Sequence, residues 1–197
     1  MRIQATTVLV LAGLTIAGCH DGATRSTATP PPKPKPPEWV YEDVKDTMRD
    51  GTAHVACLES ENEVQLTPPY KNQRLKLCVV HDAEKDIRVT LRLPLGGQFV
   101  CDPPGCLTNA KYGSEPMTKW DGSHPQDGAE DVLIFIGAST ITYNLMKPVA
   151  LQVEPTFYRD GAQIVRFPPV ALDRTRMALP ATEVEALVDK YAPEAGK

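Results

Sequence analysis

Five cysteines are the residues of this 197-residue chain whose type and spacing most directly imply chemistry. Cys19 follows Ile16-Ala17-Gly18. Small residues directly before a cysteine are typical of the site at which a lipoprotein signal peptidase cleaves and the cysteine receives its lipid. We therefore expect Cys19 to be a lipidation site. An ordinary signal peptide with a coincidental cysteine is the alternative.

The other four cysteines are Cys57, Cys78, Cys101 and Cys106. They form an even set, which in an oxidising compartment predicts two disulfides. Four cysteines allow three pairings. The Pro-Pro-Gly sequence between Cys101 and Cys106 supplies a turn, which favours 101–106 together with 57–78. Zinc coordination is the competing interpretation, but the spacings give no paired CxxC knuckles and no histidine is close in sequence to the 101–106 pair.

The chain has four histidines, which are isolated from one another in sequence: His20, His54, His81 and His124. His81-Asp82 falls in a predicted hairpin turn, where we expect a solvated polar turn rather than a catalytic pair. The carboxylates around His124 could collect a hard cation such as Ca²⁺, although an acidic surface loop is the simpler interpretation. These carboxylates are Asp121, Asp127, Glu130 and Asp131.

Motifs of known enzyme classes are missing from the sequence. There is no Gly-x-Ser-x-Gly elbow, His-Glu-x-x-His pair, phosphate-binding glycine loop or EF-hand spacing. Oxidised cysteines are not nucleophiles. We therefore predict that the protein is not an enzyme and uses no cofactor. The net charge of -4 also argues against nucleic-acid binding, which needs clustered Lys and Arg.

Residues 1–18 read as a secretory segment, with Arg2 followed by an apolar run from Val8 to Ile16. A run of about ten residues is too short to cross a bilayer core of about 30 Å as a helix. His20 stands where an Asp would, by analogy with enteric bacteria, argue for retention in the inner membrane. We expect a lipid-anchored protein of the outer membrane that faces the periplasm.

Residues 19–38 read as a linker. The segment Thr24–Glu38 holds six of the 19 prolines and few residues that could pack. We expect a disordered, extended tether that rises about 3.1 Å per residue. A proline-rich docking ligand is the alternative. Residues 39–197 are then a single β-rich domain.

Alternating apolar residues predict one strand at Arg74–Val80 and a second at Asp86–Leu93. A hairpin folded about Ala83 would bring the apolar faces together. Its pairs would be Val79 with Ile87, Leu77 with Val89 and Leu75 with Leu91. The other face would carry a set of basic residues: Arg74, Lys76, Arg88 and Arg92. We interpret this set as a solvated face, with binding of an anionic surface or a partner as the alternative.

The remaining elements follow from composition and periodicity. A disulfide between Cys57 and Cys78 needs a strand at Ala53–Leu58 that turns Val55 outward and His54 inward. Other strands are expected at Gly97–Val100, Val132–Ile136, Val149–Glu154 and Gln163–Phe167, with a turn at Tyr158–Gly161 and a loop at Trp120–Asp131. A capping box predicts a helix at Thr182–Tyr191. The fold class is therefore mainly β: a small antiparallel β-sandwich-like domain with a short C-terminal helix, preceded by a disordered Pro-rich tether.

Short motifs between Trp39 and Leu172 carry a resemblance. They are Trp39, Asp46-x-Met48, Pro69-Tyr70, Gly97-Gln98-Phe99-x-Cys101 with Cys106, Phe157-Tyr158-x-x-Gly161 and Phe167. In these the chain resembles a group of uncharacterised bacterial secreted proteins and lipoproteins, a resemblance that implies no activity. Cys78 stands where that group is expected to have a basic residue. A fainter similarity is to accessory proteins of type VI secretion.

Together these features predict a noncatalytic binding or scaffolding module in the bacterial envelope, attached to the membrane by its N-terminal lipid. Its partner would be an unknown envelope protein or an anionic surface. One alternative is an inhibitor or immunity-type binder of a periplasmic enzyme or toxin, with the loop Trp120–Asp131 entering a cleft. Another is an accessory protein of type VI secretion.

Overall fold

A computed structural model of the chain describes residues 37–47, 50–82, 84, 86–102 and 105–179. The predictions for Cys19, the signal segment, most of the tether and the helix Thr182–Tyr191 lie outside these residues. No helix within the described ranges is both long and apolar enough to cross a membrane.

Twelve strands and one helix are present in the described ranges. The strands are β1 (Val40–Asp46), β2 (Gly51–Val64), β3 (Gln73–His81), β4 (Ile87–Arg92), β5 (Thr108–Tyr112), β6 (Thr118–Trp120), β7 (Gly122–Ser123), β8 (Val132–Phe135), β9 (Leu151–Glu154), β10 (Thr156–Phe157), β11 (Gly161–Ala162) and β12 (Val165–Phe167). The helix, α1, spans Ala138–Leu145.

Most strands belong to two antiparallel sheets. A six-stranded sheet has the order β1-β2-β3-β4-β8-β7, and a four-stranded sheet has the order β12-β9-β5-β6. Strands β10 and β11 form a separate short hairpin. Apolar side chains from both sheets join one buried cluster, which includes Leu77 and Leu91 from the first sheet and Leu151 and Val165 from the second. The predicted mainly β, antiparallel, sandwich-like fold is confirmed.

The β3–β4 hairpin was predicted with the correct faces but a shifted register. Val79 lies opposite Val89 and Leu77 opposite Leu91, so each residue of β3 pairs two positions further along β4 than predicted. Because side chains alternate with a period of two, a two-residue shift keeps the same apolar residues on the inner face.

The side chain of Asp82 explains the shift. Its Oδ1 accepts hydrogen bonds from the backbone N–H groups of Glu84 and Asp86, both at 3.0 Å, which centres the turn on Glu84 rather than Ala83. The longer β3 also includes His81, which is buried and has Nδ1 2.9 Å from the carbonyl of Met177. The prediction of a solvated His81-Asp82 turn was therefore wrong for His81.

Strand β2 bends where its pairing with β3 is interrupted, between Glu59 and Glu63. The hydroxyl of the buried Ser60 accepts a hydrogen bond from the Leu75 N–H (3.0 Å) and donates one to the Asn62 carbonyl (2.7 Å). These bonds replace ladder bonds that the bulge removes. Pairing with β3 resumes at Glu63 and Val64, and β2 also contacts β12 of the four-stranded sheet.

Side chains join β2 and the residues after it to the β10–β12 region. The Asn62 amide donates to the Ile164 carbonyl and accepts from the Arg166 N–H, and the Gln163 amide bonds both backbone groups of Gln65. Asp160 accepts from the N–H and hydroxyl of Thr67, which lowers the pKa of Asp160. We call this set of contacts the side-chain seam.

Other predicted elements are mostly in place. Strands β8, β9 and β12 fall within the predicted segments, and the predicted turn at Tyr158–Gly161 joins β10 to β11. The predicted strand at Gly97–Val100 is reduced to a single bridge between Phe99 and Phe157. The reason is that Phe99 bonds the carbonyl of Glu130 while Val100 bonds that of Thr156, so neighbouring residues pair with different segments.

Strand β1 and helix α1 were not predicted. The helix sequence Ala-Ser-Thr-Ile-Thr-Tyr-Asn-Leu is short and rich in β-branched residues, which are weak helix formers. It is stabilised instead by burial of Ile141 and Leu145 in the core cluster, and the Leu145 carbonyl accepts a hydrogen bond from the Leu172 N–H (2.9 Å). Tertiary packing here decides the local structure.

Candidate functional site

The outer face of the six-stranded sheet has a row of residues that crosses five strands. Strand registers place Val40 beside Cys57, Cys57 beside Cys78, Cys78 beside Thr90 and Thr90 beside Ile134. We call these five residues the central row. It is largely apolar, and charged residues lie on both sides of it.

The predicted disulfide between Cys57 and Cys78 lies in the middle of the central row. The two residues are directly opposite each other in β2 and β3, with their Cα atoms 4.1 Å apart. Cys78 is only 3% exposed although it points to the outer face. Ala56 is in the core and shares its face of β2 with His54, whereas Val55 shares the outer face with Cys57, which are the positions that this bond requires. The bond therefore covalently links the two long strands that form the centre of the face.

The four basic residues predicted for this face are all exposed on it. We call Arg74, Lys76, Arg88 and Arg92 the basic set. Lys76 and Arg92 lie directly opposite each other in β3 and β4. Arg88 is 3.4 Å from Asp82 and Arg74 is 3.9 Å from Glu59, whereas Lys76 and Arg92 form no ion pair within the described ranges. Lys76 and Arg92 are thus two adjacent cations without an ion pair among the described residues, and Glu59 lies opposite Lys76 in β2.

A groove of about 660 Å³ opens on the same face over β1, β2 and β3. Its apolar lining includes Val40, Val55 and Cys57, and Val40 is 66% exposed. Four glutamates also line it: Glu38, Glu42, Glu59 and Glu61. Arg74 and Lys76 line the side toward β3. The groove is therefore apolar at its centre, with acidic residues on the β1 and β2 side and cations on the β3 and β4 side.

Such a face can bind a ligand that offers apolar side chains to the groove and carboxylates to Lys76 and Arg92. Exposed apolar residues next to charged side chains are typical of surfaces that contact other proteins. Both cysteine sulfurs in it are in a disulfide, so neither is available as a thiolate.

The second predicted disulfide, Cys101–Cys106, is also formed. It lies beside His124, whose Nε2 is 3.1 Å from Cys101 Sγ. The imidazole is positioned because His124 follows β7 and its Nδ1 is 3.1 Å from the Val132 carbonyl at the start of β8. The sequence interpretation considered only histidines near in sequence to the cysteines and so missed this neighbour, which the β7–β8 pairing brings back to the loop.

Cys101, Cys106 and His124 are the one group of three or more potential metal-ligating residues found within the described ranges. Their ligand atoms lie within 4.8 Å of one another. Zinc requires cysteine thiolates, and in the oxidised chain both sulfurs are committed to the disulfide. This group is therefore not a metal site while the disulfide is intact.

Two histidines separated in sequence also come together. The rings of His54 and His81 stack with centroids 6.3 Å apart, and His54 Nδ1 is 2.8 Å from Asp43 Oδ1. The Asp43 side chain is 70% exposed, so this pair lies at the surface. His81 instead bonds a backbone carbonyl and has a buried Nε2 without a partner among the described residues.

The acidic loop before β8 is attached to the body of the domain at its C-terminal end. The Asp131 carbonyl accepts from the Leu93 N–H and the Glu130 carbonyl accepts from the Phe99 N–H. Its first residues include β7, which was not predicted. The four carboxylates named from the sequence do not form a candidate metal group in the described part of the chain.

Comparisons with known proteins give no identification. No protein-family model, no curated protein and no solved structure matches the chain.

Proposed function

We propose that this protein is a lipid-anchored, noncatalytic binding module of the bacterial envelope, and that the outer face of its six-stranded sheet docks an acidic envelope protein. The observation that carries the proposal is the adjacent, exposed pair Lys76 and Arg92, which forms no ion pair among the described residues and lies beside the apolar groove. The Ile16-Ala17-Gly18-Cys19 sequence supports anchoring and envelope location.

A protein partner fits this face better than an anionic membrane surface does. Binding to anionic lipid needs a surface of one sign, and four glutamates line the groove next to the basic set. A protein can place carboxylates over Lys76 and Arg92 and apolar side chains over Val40 and Val55. Complementary charge would then determine orientation while burial of apolar surface contributes affinity.

Charge reversal on the face tests the docking proposal. The mature protein and a Lys76→Glu/Arg92→Glu variant are used to capture partners from solubilised envelopes, followed by mass spectrometry and by binding measurements with each purified candidate. The matched control is Lys111→Glu/Lys119→Glu, which reverses two exposed cations on the four-stranded sheet. We expect a partner with an acidic surface whose affinity falls by about tenfold or more in the first variant only.

Two outcomes would reject the docking proposal. One is capture of the same proteins with the same affinity by both variants. The other is binding of the wild-type domain to vesicles with anionic lipid, lost in the Lys76→Glu/Arg92→Glu variant, without any protein partner. Anchoring is tested separately by Cys19→Ala, which we expect to move the protein from the membrane fraction to the soluble fraction.

A further inference from the structure

The Cys101–Cys106 disulfide is distinguished by its contact with an imidazole. His124 Nε2 is 3.1 Å from Cys101 Sγ, and Nδ1 is 3.1 Å from the Val132 carbonyl. A carbonyl oxygen only accepts hydrogen bonds, so this contact assigns the proton to Nδ1 and leaves the Nε2 lone pair facing the sulfur. A basic nitrogen is thus already in place at the disulfide.

The two sulfurs of this bond differ in access. Cys106 is 2% exposed, whereas Cys101 is partly exposed, so a reagent from solvent reaches Cys101 first. The Cys106 N–H donates to the Gly122 carbonyl (2.9 Å), which holds the buried cysteine against β7, and His124 follows the same strand. An accessible sulfur, a buried sulfur and a base are therefore held in one place by β7.

We propose that Cys101, Cys106 and His124 form a thiol–disulfide exchange site that accepts two electrons from an external dithiol. The site lies at the β7 edge of the six-stranded sheet, and the groove lies over β1 to β3 at the other edge. The proposal therefore goes beyond docking and does not depend on it.

The exchange proceeds in two balanced steps. One thiolate of the dithiol attacks Cys101 Sγ, the Cys101–Cys106 bond breaks, and its electron pair goes to Cys106, which takes the proton of the second thiol. The second sulfur of the dithiol, now a thiolate, then attacks the first dithiol sulfur, which is bonded to Cys101 in the mixed disulfide. The bond between that sulfur and Cys101 breaks, and Cys101 is released as a thiolate. The dithiol leaves as a disulfide, and the Cys101 thiolate, next to His124 Nε2 at 3.1 Å, can share with that nitrogen a proton taken from solvent.

The second disulfide of the same chain lacks these features. Cys57 and Cys78 lie between paired strands in the central row, and no histidine contacts either of them in the described part of the chain. Reactivity of a sulfur follows its exposure and the charge next to it. Exchange is therefore specific for Cys101–Cys106, and Cys57–Cys78 serves as a control within each molecule.

Reduction kinetics test the proposal directly. The oxidised mature protein is mixed with limiting dithiothreitol, samples are quenched and alkylated at intervals, and each cysteine is followed by peptide mass spectrometry. We expect Cys101 and Cys106 to open at least about tenfold faster than Cys57 and Cys78. Equal rates for the two disulfides would overturn the proposal.

His124→Asn isolates the role of the imidazole. The Asn amide can still donate to the Val132 carbonyl but has no basic nitrogen to place at Cys101. We expect opening of Cys101–Cys106 to slow by about tenfold while Cys57–Cys78 is unaffected. An unchanged rate, or equal slowing of both disulfides, would assign His124 a structural role only and reject the proposal.

A spectroscopic readout on the reduced protein separates exchange from metal binding. The Cys106→Ala variant should show ultraviolet thiolate absorbance from Cys101 at neutral pH, and this absorbance should disappear when His124→Asn is added. The fully reduced wild type should be reoxidised at Cys101–Cys106 by oxidised dithiothreitol. Stoichiometric uptake of Zn²⁺ without such reoxidation would instead show a metal site and overturn the proposal.

Discussion

The two disulfides of this domain connect the chain in different ways. Cys57–Cys78 joins residues 21 apart in sequence, across the centre of the six-stranded sheet. Cys101–Cys106 joins residues only 5 apart, in a loop at the edge of that sheet beside His124. The first constrains a long segment of chain between two well-ordered strands, whereas the second constrains little more than its own turn.

This difference indicates that the bonds serve different purposes. A disulfide stabilises mainly by restricting the unfolded chain, and the effect grows with the length of the closed loop. Stability therefore explains Cys57–Cys78 well. The stabilisation expected from Cys101–Cys106 is smaller. Stability also does not require the contact between this bond and the imidazole, or the exposure of Cys101.

Removal of the cross-strand disulfide should cost the most stability. We expect Cys57→Ala/Cys78→Ala to lower the free energy of unfolding by about 3 kcal/mol, because the closed loop is the longer one. Urea denaturation followed by circular dichroism measures this. A loss smaller than that caused by removing Cys101–Cys106 would contradict the structural role assigned to the bond.

Removal of the loop disulfide should cost less. We expect Cys101→Ala/Cys106→Ala to lower the free energy of unfolding by about 2 kcal/mol, because the loop it closes is short. Binding through the outer face should be unchanged, since the groove is at the other edge of the sheet. Loss of partner binding in this variant, with the fold intact by circular dichroism, would break the separation of the two regions.

A substitution at Gly105 should disturb the loop without removing a sulfur. A Cβ at this position would lie 2.9 Å from Asp121 Oδ1 and 2.9 Å from the Gly122 carbonyl oxygen. We expect Gly105→Ala to destabilise the protein by about 1–2 kcal/mol through this crowding, and to increase the rate at which dithiothreitol opens Cys101–Cys106. Gly128→Ala is the comparison, because no atom lies within 4 Å of a Cβ there. Its φ of 77° is unfavourable for alanine, a backbone cost that Gly105→Ala does not have.

Alkaline pH should weaken the region beneath the loop. Burial raises the pKa of Tyr112, which packs against Trp120 one residue before Asp121. The phenol is neutral in both states below its usual pKa of 10.0, and above it only the unfolded chain ionises freely, so stability falls as pH rises. Tyr112→Phe should reduce this loss of stability at alkaline pH, measured by thermal melts. Tyr158→Phe is the control, because it removes a phenol at an exposed position.

The parts of the fold that depend on neighbouring residues could be predicted from local sequence patterns. Alternation of apolar residues located β3 and β4 and placed the basic set on one face. Because alternate residues of a strand share a face, Cys78 was expected on that face, where a bond to Cys57 in a neighbouring strand is possible. The register was missed by two residues because it depends on the side chain of Asp82 in the turn.

Contacts between distant segments could not be predicted in this way. His124 reaches Cys101 because β7 pairs with β8 and Cys106 bonds Gly122, and no periodicity in the sequence encodes that approach. Helix α1 was missed for a related reason, since its β-branched residues favour other structures and only the core stabilises it. The groove likewise requires β1, which was not predicted. The valines of this strand, Val40 and Val44, point outward and are exposed, so they do not mark the buried face by which a strand is recognised in a sequence.

The side-chain seam has a consequence for how this domain behaves beside its own copies. Open strand edges recruit strands from other molecules. Here Asn62 and Gln163 occupy backbone hydrogen-bonding groups of Ile164, Arg166 and Gln65 with amides that imitate a peptide group. An amide side chain can fill such an edge but cannot extend it into another strand. We therefore expect the seam to disfavour addition of a further strand to these backbone groups.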